Sequence, residues 1–264
     1  MKNTSFAFFF ILCCVLFPAL AHAYTDEVNG STIDVQQYKS SFFLLDLYQP
    51  DSLSKLQISF KVPIIRDSTL FMFGFTQQMF WQLRGKTMPF YDINYNPELF
   101  MTFYFGSSKK VGLDIGLIEH ESNGIDGPRS VASERSYLRF FQKWDMPNGS
   151  SLYLNVKMSA LYLLDSQSMD LGRSRGLWEI NFAWLDFANC SCFTISDMNL
   201  RLYSGGPSMM SPLDGAIEYT ARIKTKVFDV AVPMFVIQFF LGRAECLIDY
   251  RKPPEFTFRF GVGF

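Results

Sequence analysis

The chain ends Phe256-Thr257-Phe258-Arg259-Phe260-Gly261-Val262-Gly263-Phe264, apolar at every second position. Successive side chains of an extended backbone point to opposite sides, so this is a strand with one greasy face and one small or polar face. The same pattern recurs in Leu56, Ile58, Phe60 and Val62 against Gln57, Ser59 and Lys61. It returns in Met198, Leu200 and Leu202 against Asn199, Arg201 and Tyr203, and in Ile217, Tyr219, Ala221 and Ile223 against Glu218, Thr220, Arg222 and Lys224. A soluble β-sandwich also alternates, with its apolar face turned to a core. Alternation alone therefore leaves sandwich and membrane barrel open.

Three features point to a membrane wall. Lys2, the apolar run Phe6–Leu20 and Ala21-His22-Ala23 have the charged start, greasy middle and small-x-small end of a cleaved signal peptide. The full chain carries 29 Phe, 12 Tyr and 4 Trp at a net charge of −1, an aromatic load that needs somewhere to go and a balance that excludes nucleic acid as a partner. The closing aromatic, Phe264, resembles the assembly signal of bacterial outer-membrane proteins. No stretch after the signal has the roughly 18 consecutive apolar residues of a membrane helix, so any crossing is by strands.

Turn residues divide the chain into twelve expected strands: Lys55–Ile64, Leu70–Leu83, Ile93–Phe105, Val111–Glu121, Glu134–Trp144, Leu152–Leu163, Leu177–Asp186, Phe193–Ser204, Gly215–Lys226, Asp229–Phe240, Cys246–Tyr250 and Glu255–Phe264. An even count suits a single-chain antiparallel barrel. The expected organisation is a signal peptide over 1–23, a periplasmic lead-in over 24–54 and a transmembrane barrel over 55–264. Cys190, Cys192 and Cys246 remain after the signal, an odd number that argues against a disulfide framework. Cys190 and Cys192 are compatible with a local bridge or with two free thiols.

One histidine, His120, lies beyond the signal, and Ser122 follows two positions on. On a strand these point to one face, which brings a base beside a hydroxyl, the pairing acyl transfer needs. His-x-Ser alone is commonplace, and a lone exposed histidine is usually surface. Here it sits in His120-Glu121-Ser122-Asn123-Gly124, followed by Pro128, Ser130, Arg135 and Tyr137. That stretch resembles the signature of the outer membrane phospholipase A family. Gln57 to Pro63, Thr76-Gln77-Gln78 with Trp81-Gln82-Leu83, Pro89-Phe90 with Asn94-Tyr95 and Pro97, and Leu247-Ile248-Asp249-Tyr250 are similar to its other landmarks, in order.

The resemblance implies a calcium-dependent phospholipase in the bacterial outer membrane, acting on phospholipids and lysophospholipids as a homodimer. It implies Ser122 as nucleophile, His120 as general base and the Gly124 amide in the oxyanion hole. It also implies Thr87 and Ser130 as Ca2+ ligands shared between subunits, and Gln77 at the dimer interface. Two positions depart from the family: its third catalytic member, an asparagine, aligns with Glu134, and the acidic ligand of a second calcium site aligns with Gly127, beside Asp126. Glu134 then reads as the carboxylate of a triad, or as a solvated residue at a loop end. A non-catalytic barrel, either a small porin or an inactive family member, is the competing reading.

Parity sets a condition. With Leu113, Ile115 and Leu117 facing lipid, strict alternation turns His120 and Ser122 into the lumen, out of reach of membrane lipid. An extra residue, a β-bulge between Leu117 and Glu119, is expected to reverse the parity. On the next strand, Arg135, Tyr137 and Arg139 are expected inward and Glu134, Ser136, Leu138 and Phe140 outward.

Overall fold

The computed structural model describes residues 35–46, 52–66, 70–164, 169–189, 193–225 and 234–263. The signal peptide, Cys190, Cys192 and Phe264 lie outside the described residues. Thirteen strands form one antiparallel sheet: β1 Gln36–Gln37, β2 Phe42–Leu45, β3 Ser54–Arg66, β4 Leu70–Trp81, β5 Phe90–Phe105, β6 Val111–Ser122 and β7 Ala132–Asp145, then β8 Ser151–Leu164, β9 Trp178–Asn189, β10 Phe193–Gly205, β11 Ser211–Thr225, β12 Met234–Gly242 and β13 Glu255–Gly263. Strands β2 to β13 make a closed barrel of twelve. Each pairs with its sequence neighbours, and β2 closes the circle between β13 and β3. The short β1 adds to the same strand, Gln36 opposite Lys61 and Gln37 opposite Phe60.

The count of twelve stands, but its membership differs from expectation at two places. Cys246–Tyr250 is not a strand: Leu247–Asp249 is a 3-10 turn, and Cys246 and Leu247 are both buried, which an alternating wall strand does not allow. The missing strand is Phe42–Leu45, inside the stretch expected to lie ahead of the barrel. Its four consecutive apolar residues hide the period of two, because the lumen is greasy at this point: Phe42 and Leu44 cluster with Val236.

Elsewhere the inward face is charged. Buried ions are tolerated only when paired, and here the pairs run both between neighbouring strands, as Arg139 with Asp114 at 2.7 Å, and across the lumen. Lys55 lies 3.0 Å from Glu218 and 3.2 Å from Glu245. Glu98 accepts hydrogen bonds from Tyr137 at 2.7 Å, Tyr38 at 3.0 Å and Lys39 at 3.1 Å. Tyr38 and Lys39, just after β1, thereby tie the N-terminal segment into the lumen. Around these ladders remains a polar cavity of about 590 Å³.

The outward face is the reverse. Leu138, Phe140, Ile217, Phe239, Leu241, Phe256 and Phe260 are all exposed. Such a belt on a closed barrel with a polar interior distinguishes a lipid-facing wall from a soluble sandwich.

One end of the barrel carries tight turns such as 106–110 and 146–150, and the other carries the longer connections 82–89, 123–131 and 243–254. At that second end Val131, Leu171, Ala244, Leu247 and Tyr250 pack into a small core contributed by three loops. Asp170 clamps it, accepting from the Tyr250 hydroxyl and from the Arg251 guanidinium. The Arg251 hydrogen bond holds the Asp170 carboxyl down at about 2.

Deleting residues 35–46 removes β1 and β2 and leaves β3 and β13 without the strand between them. The expected outcome is complete loss of the heat-modifiable band of a refolded barrel on gels; a truncated chain that still shows it contradicts the closure described here.

Candidate active site

The site begins with an irregularity in β6. Against β5, Leu99 pairs with Ile118 and Phe100 with Gly116, so Leu117 has no partner of its own. Against β7, Gly116 pairs with Tyr137 and Glu119 with Arg135, so Leu117 and Ile118 together oppose Ser136. This is the expected bulge. Leu117 and Ile118 are both outward, 46% and 39% exposed, and the alternation resumes reversed, with Glu119 and Glu121 buried. His120 and Ser122 therefore face the lipid side.

Directly across the β6–β7 ladder from His120 stands Glu134. Its Oε1 is 3.5 Å from His120 Nδ1, and both side chains remain partly exposed, 35% and 44%. A carboxylate beside Nδ1 favours the tautomer whose basic nitrogen is Nε2, which can take a proton from the Ser122 hydroxyl. On the lumen side of the same two strands, Glu119 is held by Arg135 and Lys157, and Glu121 by Arg175 at 2.8 Å. Both carboxylates are buried and paired with these cations, so β6 is pinned from within.

Two asparagines complete the frame. The β5–β6 register places Pro97, which has no N–H to give, opposite His120. The side chain of Asn96 supplies the donor instead, binding the His120 carbonyl oxygen at 2.9 Å. Asn123 is buried and staples the next loop: its Nδ2 donates to the Arg129 carbonyl at 2.9 Å, and its Oδ1 accepts from the Val131 and Ile125 amides at 3.1 and 3.4 Å. Neither role was predicted from sequence, although Pro97 beside an asparagine was a readable signal for the first.

Gly124 opens that loop at φ +63°, a left-handed conformation that glycine adopts freely. A Cβ here would stand 2.9 Å from Tyr95 Cε2, and Tyr95 is the β5 partner of Ser122. The chain thus turns away just past Ser122, with no room for a side chain against Tyr95. Beyond it, Asp126 is exposed, Gly127–Arg129 form a 3-10 turn, and the Ser130 amide closes that turn on the Gly127 carbonyl at 2.9 Å.

Thr87 is exposed on the neighbouring 82–89 loop, which is held by Gln82 N–H to Pro89 O at 3.1 Å and Trp81 Nε1–H to Met88 O at 2.7 Å. Among the described residues no group of three or more His, Cys, Asp or Glu could hold a metal. Thr87, Ser130 and Asp126 offer oxygen donors on two loops flanking the site, the donor type a hard cation takes. Gln77 lies on β4 between Ile58 and Tyr95, in an outward row with Phe73, Phe75 and Met79. Cys246 is a buried free thiol that donates to Asp92 at 3.1 Å, a structural role.

Residues 19–264 match the phospholipase A1 family. Phospholipase A1 of Proteus vulgaris is 27% identical over 245 residues, covering 88% of this chain and 74% of that protein. A putative phospholipase A1 of Neisseria meningitidis serogroup B is 35% identical over 106 residues, 34% of this chain and 27% of that one. The crystal structure of the Salmonella typhi outer membrane phospholipase dimer with bound calcium superposes with a TM-score of 0.65 at 17% identity, covering 92% of this chain and 96% of that one. Outer membrane phospholipase A from Escherichia coli gives the same score and identity over 93% and 96%.

Asn123→Ala removes three hydrogen bonds from the 123–131 loop while touching no wall strand. Limited trypsin digestion should then cleave after Arg129 faster than in the parent, with the barrel still heat-modifiable; equal cleavage rates contradict the staple.

Proposed function

The chain belongs to the phospholipase A1 family and is an outer-membrane phospholipase, and from that premise we propose that it cleaves acyl esters with a Ser122-His120-Glu134 site on the lipid-facing side of its wall. The observation that carries this reading is the His120–Glu134 pair, 3.5 Å apart, on the outward face. A base so placed meets an ester carbonyl at the edge of the bilayer without the lipid leaving the membrane.

His120 takes the Ser122 proton as the serine oxygen adds to the acyl carbonyl. The Gly124 N–H donates to the carbonyl oxygen as it gathers charge. Collapse of the tetrahedral intermediate expels the glyceryl alkoxide, to which His120 returns the proton. Water, deprotonated by His120 in turn, releases the fatty acid and frees Ser122. Glu134 accepts from Nδ1–H throughout, fixing the tautomer and compensating the imidazolium. Asparagine offers the first of these effects and glutamate both.

We infer calcium as the cofactor, since Thr87 and Ser130 supply neutral oxygen donors at the rim of the site and the calcium-bound relative is a dimer. Bound there, the cation supplies positive charge that favours the oxyanion. Two oxygens from one chain fall short of the six to eight that calcium takes, which supports a site completed by a second copy, with Gln77 on the paired face. Asp126 is a carboxylate for a second, weaker position. Phospholipids and lysophospholipids are the proposed substrates, with ester bonds at either glycerol position open to attack.

Ser122→Ala and His120→Ala are expected to abolish fatty-acid release from mixed micelles with the heat-modifiable barrel retained. Glu134→Ala should lose roughly ten- to a thousandfold in turnover and Glu134→Gln less, by analogy with other triads. Full activity in Glu134→Ala leaves a dyad and removes the residue from the site.

Thr87→Ala and Ser130→Ala should each raise the calcium concentration needed for half-maximal activity more than they lower the rate at saturation. A calcium titration unchanged in both variants places the ligands elsewhere.

A further inference from the structure

We propose that Ser136 is the positioning residue that holds the β6 bulge in place, and through it the outward aim of His120 and Ser122. The inference rests on the reading of those two residues as the active site. Ser136 lies at the crossing of two irregular ladders. On one side it opposes both Leu117 and Ile118 of β6. On the other, Ser136 pairs with Leu161 and Tyr137 with Ser159, so β8 also carries an extra residue at this level. Its hydroxyl donates to the Leu117 carbonyl at 2.8 Å.

That bond answers a specific need. A bulge leaves one residue of the longer strand out of the ladder, and the carbonyl so released on the lipid-facing side needs a partner from the protein. The outward row of β7 reads Glu134, Ser136, Leu138, Phe140. Polar side chains are out of place in such a row. Glu134 is accounted for by His120, and Ser136 by the Leu117 carbonyl alone. Without the hydroxyl, the alternative that satisfies the backbone is an unbulged ladder. A one-residue slip exchanges the two faces, turning Glu119 and Glu121 to lipid and His120 and Ser122 to the lumen. The lumen-side bonds of Arg135, Lys157 and Arg175 to those glutamates oppose a full slip. Loss of Ser136 is therefore expected to loosen the aim of the pair, leaving the fold in place.

The test is a set of steady-state measurements on refolded, calcium-loaded Ser136→Ala, Ser136→Thr and Ser122→Ala, with thermal unfolding followed in parallel. Ser136→Ala should lose roughly ten- to a hundredfold in kcat, the scale of a reacting group misplaced by about an ångström, with KM and the unfolding temperature near those of the parent. Ser136→Thr keeps the hydroxyl and should restore most of kcat. The inference is overturned if Ser136→Ala turns over within about twofold of the parent, if threonine fails to rescue it, or if Ser136→Ala does not form the barrel, which assigns the hydroxyl to folding. Activity in Ser122→Ala overturns the active-site reading itself, whereas an inactive Ser122→Ala beside a fully active Ser136→Ala sinks only the positioning role.

Discussion

Within a bilayer every backbone N–H and C=O must find its partner in the protein, and the structure follows from that constraint. It closes the sheet into a barrel, because an open edge would present a row of unpaired groups to lipid. It also makes each departure from regular pairing a feature that something must compensate. Where Pro97 cannot donate, the Asn96 side chain reaches the His120 carbonyl. Where β6 carries an extra residue, the Ser136 hydroxyl reaches the Leu117 carbonyl. Both compensations fall on the strand that bears His120 and Ser122, so the backbone around the proposed site is irregular in a way its neighbours make tolerable.

The lumen does the complementary work. Glu119 and Glu121 alternate with His120 and Ser122 along β6, so whatever anchors the first pair inward aims the second outward. Arg135, Lys157 and Arg175 do the anchoring, further bonds through Glu98 and Lys55 tie distant strands together, and Arg201 joins Glu179 and Glu218 on its two neighbours. In the proposed reading a lipid-facing active site is affordable because its rigidity comes from a polar interior that the substrate never meets.

Much of this was legible in the sequence, and the failures have physical causes. Strands with a polar lumen on one side and lipid on the other must alternate, so β3 to β11 and β13 could be read with ends displaced by only a few residues. The bulge followed from a conflict of parity between Leu113, Ile115 and Leu117 and the pair His120 and Ser122. Phe42–Leu45 was missed because its inward residues pack on Val236 and the run is apolar throughout. Cys246–Tyr250 was misread as a strand because its apolar residues serve a loop core with Val131 and Leu171, where neither period applies. His120 and Ser122 stood out by composition and spacing. Asn96, Asn123 and Ser136 act through backbone carbonyls and amides, contacts that leave no periodic trace.

In the proposed reading, Ser122 meets its substrate from the lipid side of the wall, a placement open to chemical labelling. It is tested most directly by treating the protein, reconstituted in phospholipid vesicles with calcium, with a long-chain alkylsulfonyl fluoride that partitions into the bilayer, and then mapping the adduct by peptide mass spectrometry. A single sulfonylated residue, Ser122, is expected. An unmodified Ser122, or an adduct on a different serine, contradicts it.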